Sequence, residues 1–218
     1  MKQILSIVLL SAAFFTSCKK DDINNTDEQV GHSRVVNFPS INIKGEHLII
    51  LNQGETYTDP GASALIKGAE MNYQTGGTVD TGTPGVYDLT YTARSEEGYS
   101  VSDWRTVVVI GNNVANNDLS GSYLREATGT TTTWTKKAPG VYEVDNPGGA
   151  VTGYGLKVIA VNYEGNKITI PRQLGVDPDD SPIEVDSRAE AYTPETSSYT
   201  WVFLASGYGT GARTFVKQ

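Results

Sequence analysis

The chain reads as all-β, and three observations support that reading. Apolar and polar residues alternate with a period of two in Val86-Tyr87-Asp88-Leu89-Thr90-Tyr91-Thr92-Ala93-Arg94, so Tyr87, Leu89, Tyr91 and Ala93 share one face. That is the pattern of a half-buried antiparallel strand. No window sustains an apolar period of 3.6 between helix caps. The 23 glycines are spread along the 218 residues, and many flank short apolar runs, as turn residues do between strands.

The elements follow in order. Lys2 precedes the apolar run from Ile4 to Phe15, which gives way to small residues. This order marks residues 1–17 as a secretory signal, too short for a membrane-spanning helix. Cys18 is the only cysteine. With Phe15-Thr16-Ser17 before it, the segment resembles the lipobox of bacterial lipoproteins, although Phe15 stands where that family usually has Leu. The resemblance implies cleavage before Cys18 and its acylation. Lys19-Lys20-Asp21-Asp22 resembles the surface-export signal of Bacteroidota-type lipoproteins, which implies an outer-membrane, lipid-anchored and cell-surface address. Residues 18–33 are polar and acidic, with almost nothing to bury, and read as a disordered tether.

Residues 34–111 form the first β domain. Leu48-Ile49-Ile50-Leu51 and Thr106-Val107-Val108-Val109-Ile110 are short continuous apolar runs, the signature of sandwich-core strands. Gly54-Glu55-Thr56-Tyr57-Thr58-Asp59-Pro60-Gly61-Ala62, the segment from Gly82 to Ala93 and the closing Arg105-Thr106-Val107-Val108-Val109 together resemble a bacterial immunoglobulin-like repeat. The repeat in question is named after an insecticidal crystal toxin. The resemblance implies a β-sandwich that spaces or binds, and no chemistry. Gly111-Asn112-Asn113-Val114-Ala115-Asn116-Asn117 is polar and small, and is read as the joint between two independent domains.

Residues 117–218 form a second antiparallel β domain, a meander closing into a sandwich or an open barrel. Its strands are Gly121 to Arg125, Val141 to Val144, Leu156 to Tyr163, Lys167 to Ile170, Ala189 to Tyr192, Tyr199 to Leu204 and Arg213 to Val216. Gly165-Asn166 supplies a two-residue hairpin turn. Pro139-Gly140-Val141-Tyr142-Glu143-Val144 repeats the pattern of Pro84-Gly85-Val86-Tyr87-Asp88-Leu89, which shared turn-into-strand chemistry explains better than duplication. Leu119-Ser120-Gly121-Ser122-Tyr123 and Gly211-Ala212-Arg213-Thr214-Phe215 resemble the uncharacterised β module that follows such repeats in Bacteroidota lipoproteins. Those lipoproteins often sit beside glycan-capture machinery.

Composition narrows the function classes. Without Lys2 the mature chain carries 16 basic and 25 acidic side chains, a net of −9. Nucleic acid is therefore no expected partner, because its phosphates would be repelled. Of the two histidines, His32 lies in the tether and His47 beside Lys44-Gly45-Glu46, neither at zinc-ligand spacing nor placed for a Ser-His-Asp triad. Gly207-Tyr208-Gly209-Thr210-Gly211 is a hairpin loop and not a phosphate cradle. Asp177, Asp179 and Asp180 form an acidic loop whose spacing lacks the calcium-loop Gly and distal Glu; it reads as solvated, with calcium binding left open.

The remaining lever is aromatic. Sugars stack on exposed Trp or Tyr beside polar neighbours. Trp134, in the polar run from Thr130 to Lys136, and the glycine-flanked Tyr208 and Tyr154 are the candidate ligand contacts. For Trp134, packing in the core or at an edge is weighed against ligand contact. Trp201 alternates with Tyr199 and Phe203 and reads as core.

The expected function is recognition or spacing at the cell surface without catalysis, cofactor or metal, with polysaccharide or a surface protein complex as partner. The alternatives are a carbohydrate-active enzyme with an unmarked carboxylate pair, or a small-ligand carrier with a hollow barrel. Anchoring is directly testable: Cys18→Ala should leave a precursor that no longer partitions into a Triton X-114 detergent phase. Wild-type partitioning of that variant would remove the lipoprotein reading.

Overall fold

The computed structural model describes residues 29–30, 33–151, 155–176 and 181–218. The chain divides into the units Met1–Asn37 and Phe38–Gln218. In the first, Gln29–Val30 (β1) pairs antiparallel with Ser33–Arg34 (β2). So part of the segment expected to be an unstructured tether is strand. Cys18 lies outside the described residues.

The larger unit begins with seven strands: Ser40–Ile43 (β3), Leu48–Asn52 (β4), Ala62–Ile66 (β5), Ala69–Glu70 (β6), Tyr73–Gly76 (β7), Gly85–Arg94 (β8) and Ser100–Ile110 (β9). They form two sheets, ordered β3-β5-β6 and β4-β9-β8-β7. All pairs are antiparallel except β4 with β9, which run parallel from Leu48↔Thr106 to Asn52↔Ile110. The inward face of β8 is the expected one: Leu89, Tyr91 and Ala93 are buried with Ile41, Leu51, Ala62, Ala64 and Val107. Inside this sandwich lies one charged side chain. Arg105 is fully buried and reaches the Asp59 carboxylate, donating also to the Tyr91 hydroxyl and the carbonyls of Lys44 and Glu46. Asp59 also accepts from the Tyr91 hydroxyl at 2.7 Å and from the Gly61 amide at 3.2 Å. Burial pushes the Asp59 carboxyl up, but these donors and the Arg105 charge outweigh it and hold the group below its usual range. Removing one partner of such a buried pair costs about 3–5 kcal/mol, because the other charge is left uncompensated.

Nine strands follow: Gly121–Arg125 (β10), Thr130–Ala138 (β11), Val141–Asp145 (β12), Lys157–Glu164 (β13), Lys167–Thr169 (β14), Gln173–Val176 (β15), Pro182–Thr193 (β16), Ser198–Ala205 (β17) and Arg213–Lys217 (β18). Their order is β12-β11-β10-β18-β17-β16-β15-β13-β14, and β12 also pairs with β13. The meander therefore closes into an antiparallel barrel of eight strands, with β14 hairpinned onto β13. Between a sandwich and an open barrel, which the sequence left unresolved, the structure has a closed barrel. Between β14 and β15 the ladder to β13 is interrupted. There the Gln173 side-chain amide stands in for a peptide, accepting from the Ile159 N–H and donating to its carbonyl, both at 2.7 Å.

The barrel interior is aromatic. Trp134, Trp201, Tyr123, Tyr142, Tyr199, Phe203 and Phe215 are all buried in one cluster. The two indoles stack with centroids 5.6 Å apart, and Tyr199 stacks on Phe215 at 4.7 Å. Each indole N–H has a partner: Trp134 donates to the Tyr199 hydroxyl at 3.1 Å, and Trp201 to the Pro147 carbonyl at 3.0 Å. An eight-stranded barrel is just wide enough for side chains to fill, and here they fill it, which removes the hollow interior a carrier needs.

The joint after β9 differs from the expected exposed linker. Val114, in a 3-10 turn (Asn112–Val114), is fully buried with Val108, Ile110 and Val161 of the barrel wall. Asn117 donates to Asn162 and to the Gly165 carbonyl, while its own carbonyl accepts from Lys136. Gly140 (φ +73°) closes the packing, since a Cβ there would lie 2.6 Å from the Asn162 carbonyl oxygen and 3.0 Å from Ile110. Phe38–Gln218 is one compact unit; at the joint the Val114 side chain and the Asn117 amide engage the barrel, while Asn112, Asn113 and Asn116 are exposed.

Trp134→Ala separates the two readings of that residue. With the indole 2% exposed, truncation should cost about 3–5 kcal/mol, seen as a lower urea midpoint with an unchanged slope. A near-wild-type midpoint would contradict the packing described.

Candidate functional site

The residues singled out from the sequence are not gathered into one exposed platform. Trp134 is core, a correction whose cause lies in β11: Thr130, Thr132 and Trp134 alternate inward, with the threonine hydroxyls satisfied by the carbonyls of Gly149 and Asn146. The polarity of the run concealed a strand. Tyr208 is half-buried, edge-on to Phe203 at 5.1 Å, and a Cβ on Gly148 would come within 2.4 Å of its ring. It plugs the barrel end more than it offers a face. Tyr154, Asp177, Asp179 and Asp180 lie outside the described residues.

A different aromatic pair lines a surface groove of about 480 Å³, formed by the β13–β14 hairpin and the end of β16. Its walls include Tyr163, Glu164, Asn166, Lys167, Glu190 and Tyr192. The hairpin turns through Gly165-Asn166, as its sequence requires, with Glu164 opposite Lys167. Lys167 donates to Glu164 at 2.6 Å and lies 6.0 Å from the centre of the Tyr163 ring. Burial raises the Tyr163 hydroxyl above its usual range, against the nearby Lys167 charge. Tyr192 packs on the barrel interior and Tyr163 on the seam of Val108, Ile110, Val114 and Val161, and both line the groove.

Glu190 is held in place from below. Its Oε1 accepts from the Thr169 hydroxyl at 2.7 Å and the Ser187 hydroxyl at 2.6 Å, and Ser187 in turn accepts from the Ile170 N–H. The backbone reaches this arrangement through a bulge. Pairing of β16 with β17 steps from Arg188↔Val202 to Ala191↔Thr200, and Ala189 takes φ +52°. One extra residue inverts the alternation. Val185 is inside before the bulge and Tyr192 packs on the interior after it. Nothing in the sequence of residues 187–192 marks the bulge, since left-handed backbone is ordinarily signalled by Gly or Asn.

On the other side of Thr169 and Ser187 runs a second cleft, of about 490 Å³, between β8 and the barrel. Arg172 crosses it, 4.2 Å above the Trp104 ring of the sandwich and donating to Glu184 of the barrel at 2.8 Å. Its three carboxylates are engaged: Asp88 accepts from Thr106, Glu184 from Arg172, and Asp186 faces Arg188 at 3.6 Å. Burial raises the Asp186 carboxyl, opposed by Arg188. Among the described residues no group of three or more His, Cys, Asp or Glu could hold a metal ion, and no helix is long and apolar enough to cross a membrane.

Residues 41–109 match the family model described as a bacterial surface protein, Ig-like domain. Among solved structures the chain is similar to a lipoprotein from Bacteroides thetaiotaomicron, at 23% identity and a TM-score of 0.38, over 83% of this chain and 100% of that one. No curated protein matches the chain. Over residues 41–109 the first module is thus similar in sequence to that surface immunoglobulin-like domain.

The bulge itself makes a testable prediction. An alanine in left-handed backbone costs about 1–2 kcal/mol, partly offset by the entropy a glycine loses on folding. Ala189→Gly should therefore raise stability by up to about 1 kcal/mol, measured as a higher urea midpoint. A loss of stability would show that the alanine methyl contributes packing.

Proposed function

We propose that this chain is a cell-surface lipoprotein of the outer membrane, anchored through Cys18, which recognises glycan without catalysis. The immunoglobulin-like module acts as spacer, of the toxin-named repeat type, and the barrel as the recognition module that follows such repeats. The observation that supports recognition is the groove of Tyr163 and Tyr192 with Glu190 fixed between them. Two aromatic flanks, an oriented carboxylate, an amide and an ammonium are the side chains that stack on a pyranose and exchange hydrogen bonds with its hydroxyls. Because Thr169 and Ser187 occupy Oε1 of Glu190, its other oxygen is available to accept. A preorganised acceptor loses little entropy on binding.

The non-catalytic reading draws support from the engagement of the carboxylates: in the groove Glu164 is paired with Lys167 and Glu190 is held by Thr169 and Ser187, and each carboxylate of the second cleft has a hydrogen-bonding or ionic partner. A hydrolase would need two carboxylates facing a substrate across a gap.

The test is a glycan array probed with the chain from Lys19 onward. Lys167→Ala and Glu190→Gln should each weaken retention of the captured glycan by about tenfold, equivalent to about 1.4 kcal/mol, and leave the melting temperature near wild type. Capture that is indifferent to both substitutions would place recognition elsewhere, and product release from a captured glycan would replace recognition by catalysis.

A further inference from the structure

The barrel end opposite the groove holds a charge problem. In a closed meander alternate loops share an end, so the turns after β10 and β17 open together, away from the Gly165-Asn166 hairpin. Arg125 closes β10 and Arg213 opens β18, and both line one pocket of about 290 Å³ with Thr214 and Val216. Arg213 points inward next to the aromatic interior and is 7% exposed. Its guanidinium donates to the carbonyls of Phe203 at 2.9 Å and Gly209 at 2.8 Å. Arg125 donates to the carbonyls of Gly148 and Gly149 at 3.3 and 3.1 Å, and its stem crosses Gly149 so closely that a Cβ there would lie 2.7 Å away.

These contacts satisfy hydrogen bonds but not charge. Among the described residues no carboxylate lies within ion-pair distance of either guanidinium. Glu126 is on the pocket rim, exposed, and pairs with neither. Buried charges in proteins are ordinarily paired, and two like charges at one pocket repel. Burial, and then the nearby Arg125 charge, pull Arg213 below its usual range. Each guanidinium has five N–H donors, of which the described carbonyls take only part. The remainder suit the flat, bidentate geometry of an oxoanion.

We infer that Arg125 and Arg213 form a binding site for a small oxoanion group, a carboxylate or a sulfate. This goes beyond the groove reading and does not depend on it. A free inorganic ion and an acidic substituent on a sugar present the same chemistry, so the site recognises the group and not its carrier.

The test uses the chain from Lys19 onward, titrated with sodium sulfate and separately with sodium glucuronate at constant ionic strength made up with chloride. Sulfate stabilises any protein by exclusion from its surface, so the comparison is with Arg125→Gln and Arg125→Lys rather than with buffer. Guanidinium Nε–H resonances and the melting temperature are followed together. Wild type should saturate, with Arg213 Nε–H shifting, whereas Arg125→Gln should bind about tenfold more weakly and Arg125→Lys should recover only part of that loss. Preference for glucuronate over sulfate would assign the carrier as an acidic sugar, and preference for sulfate a free ion or sulfate ester; either supports the site. Identical, non-saturating responses in wild type and Arg125→Gln would overturn it. So would an Arg213 resonance insensitive to both anions that becomes responsive only when Asp177, Asp179 and Asp180 are all changed to Asn, since the chain would then supply its own counter-ions.

Discussion

The structure depends on one strand being buried on both of its faces. From Trp104 to Ile110 every residue of β9 is buried. Arg105 and Val107 turn into the sandwich, while Val108 and Ile110 pack with Val114 and Val161 against the outside of the barrel. Because side chains alternate, a register slip of one residue would exchange the two sets. The Arg105 guanidinium would then face the apolar seam, far from the carbonyls of Lys44 and Glu46 and the Asp59 carboxylate. A buried ion pair is weak evidence for stability, but it can specify register. Here its geometry is satisfied in a single alignment of β9, and that alignment also positions the wall on which the barrel packs.

The barrel meets a complementary constraint from within. Closing eight strands leaves an interior that must be filled, and this sequence fills it with two indoles and five other rings rather than with branched aliphatics. Large rings bring polar atoms with them, and buried polar atoms need partners. The Tyr123 hydroxyl finds the Leu119 carbonyl, and Tyr142 takes the Asn117 carbonyl while receiving the Leu119 N–H. The interior thus ties down the segment that enters the barrel, residues 117–119, from inside, while the Asn117 amide ties it from outside. The joint between the modules is held to the barrel for that reason, although its composition is that of a linker.

How far the sequence reveals this follows from which contacts are local. The alternation in β8, the Gly165-Asn166 hairpin and the strands around Trp201 and Phe215 depend on neighbours in sequence, and they are legible. Strand β11 is hidden because Thr130 and Thr132 are polar residues on an inward face, acceptable only once the carbonyls of Asn146 and Gly149 arrive from another loop. The run from Thr106 to Ile110 reads correctly as doubly buried strand, yet nothing local says that its second face meets a barrel. The groove is the least legible. Tyr163 and Tyr192 lie 29 positions apart in the chain, and Glu190 faces them only through an unmarked bulge at Ala189.

Where the fold departs from its own regularity is informative about use. Cores are consistent across levels, whereas local conflicts collect where a protein meets other molecules. Within the sandwich and the barrel interior the conflicts are resolved: Arg105 has its carboxylate, and no buried side-chain polar atom lacks a partner among the described residues. Two others sit at the two ends of the barrel. At one, an alanine is held in left-handed backbone beside a carboxylate that two hydroxyls fix in place. At the other, two guanidiniums share a pocket with no counter-ion among the described residues. A barrel whose interior is already full has no room for a ligand inside, so its rims are the surfaces on which recognition can be built. Both irregularities are on those rims.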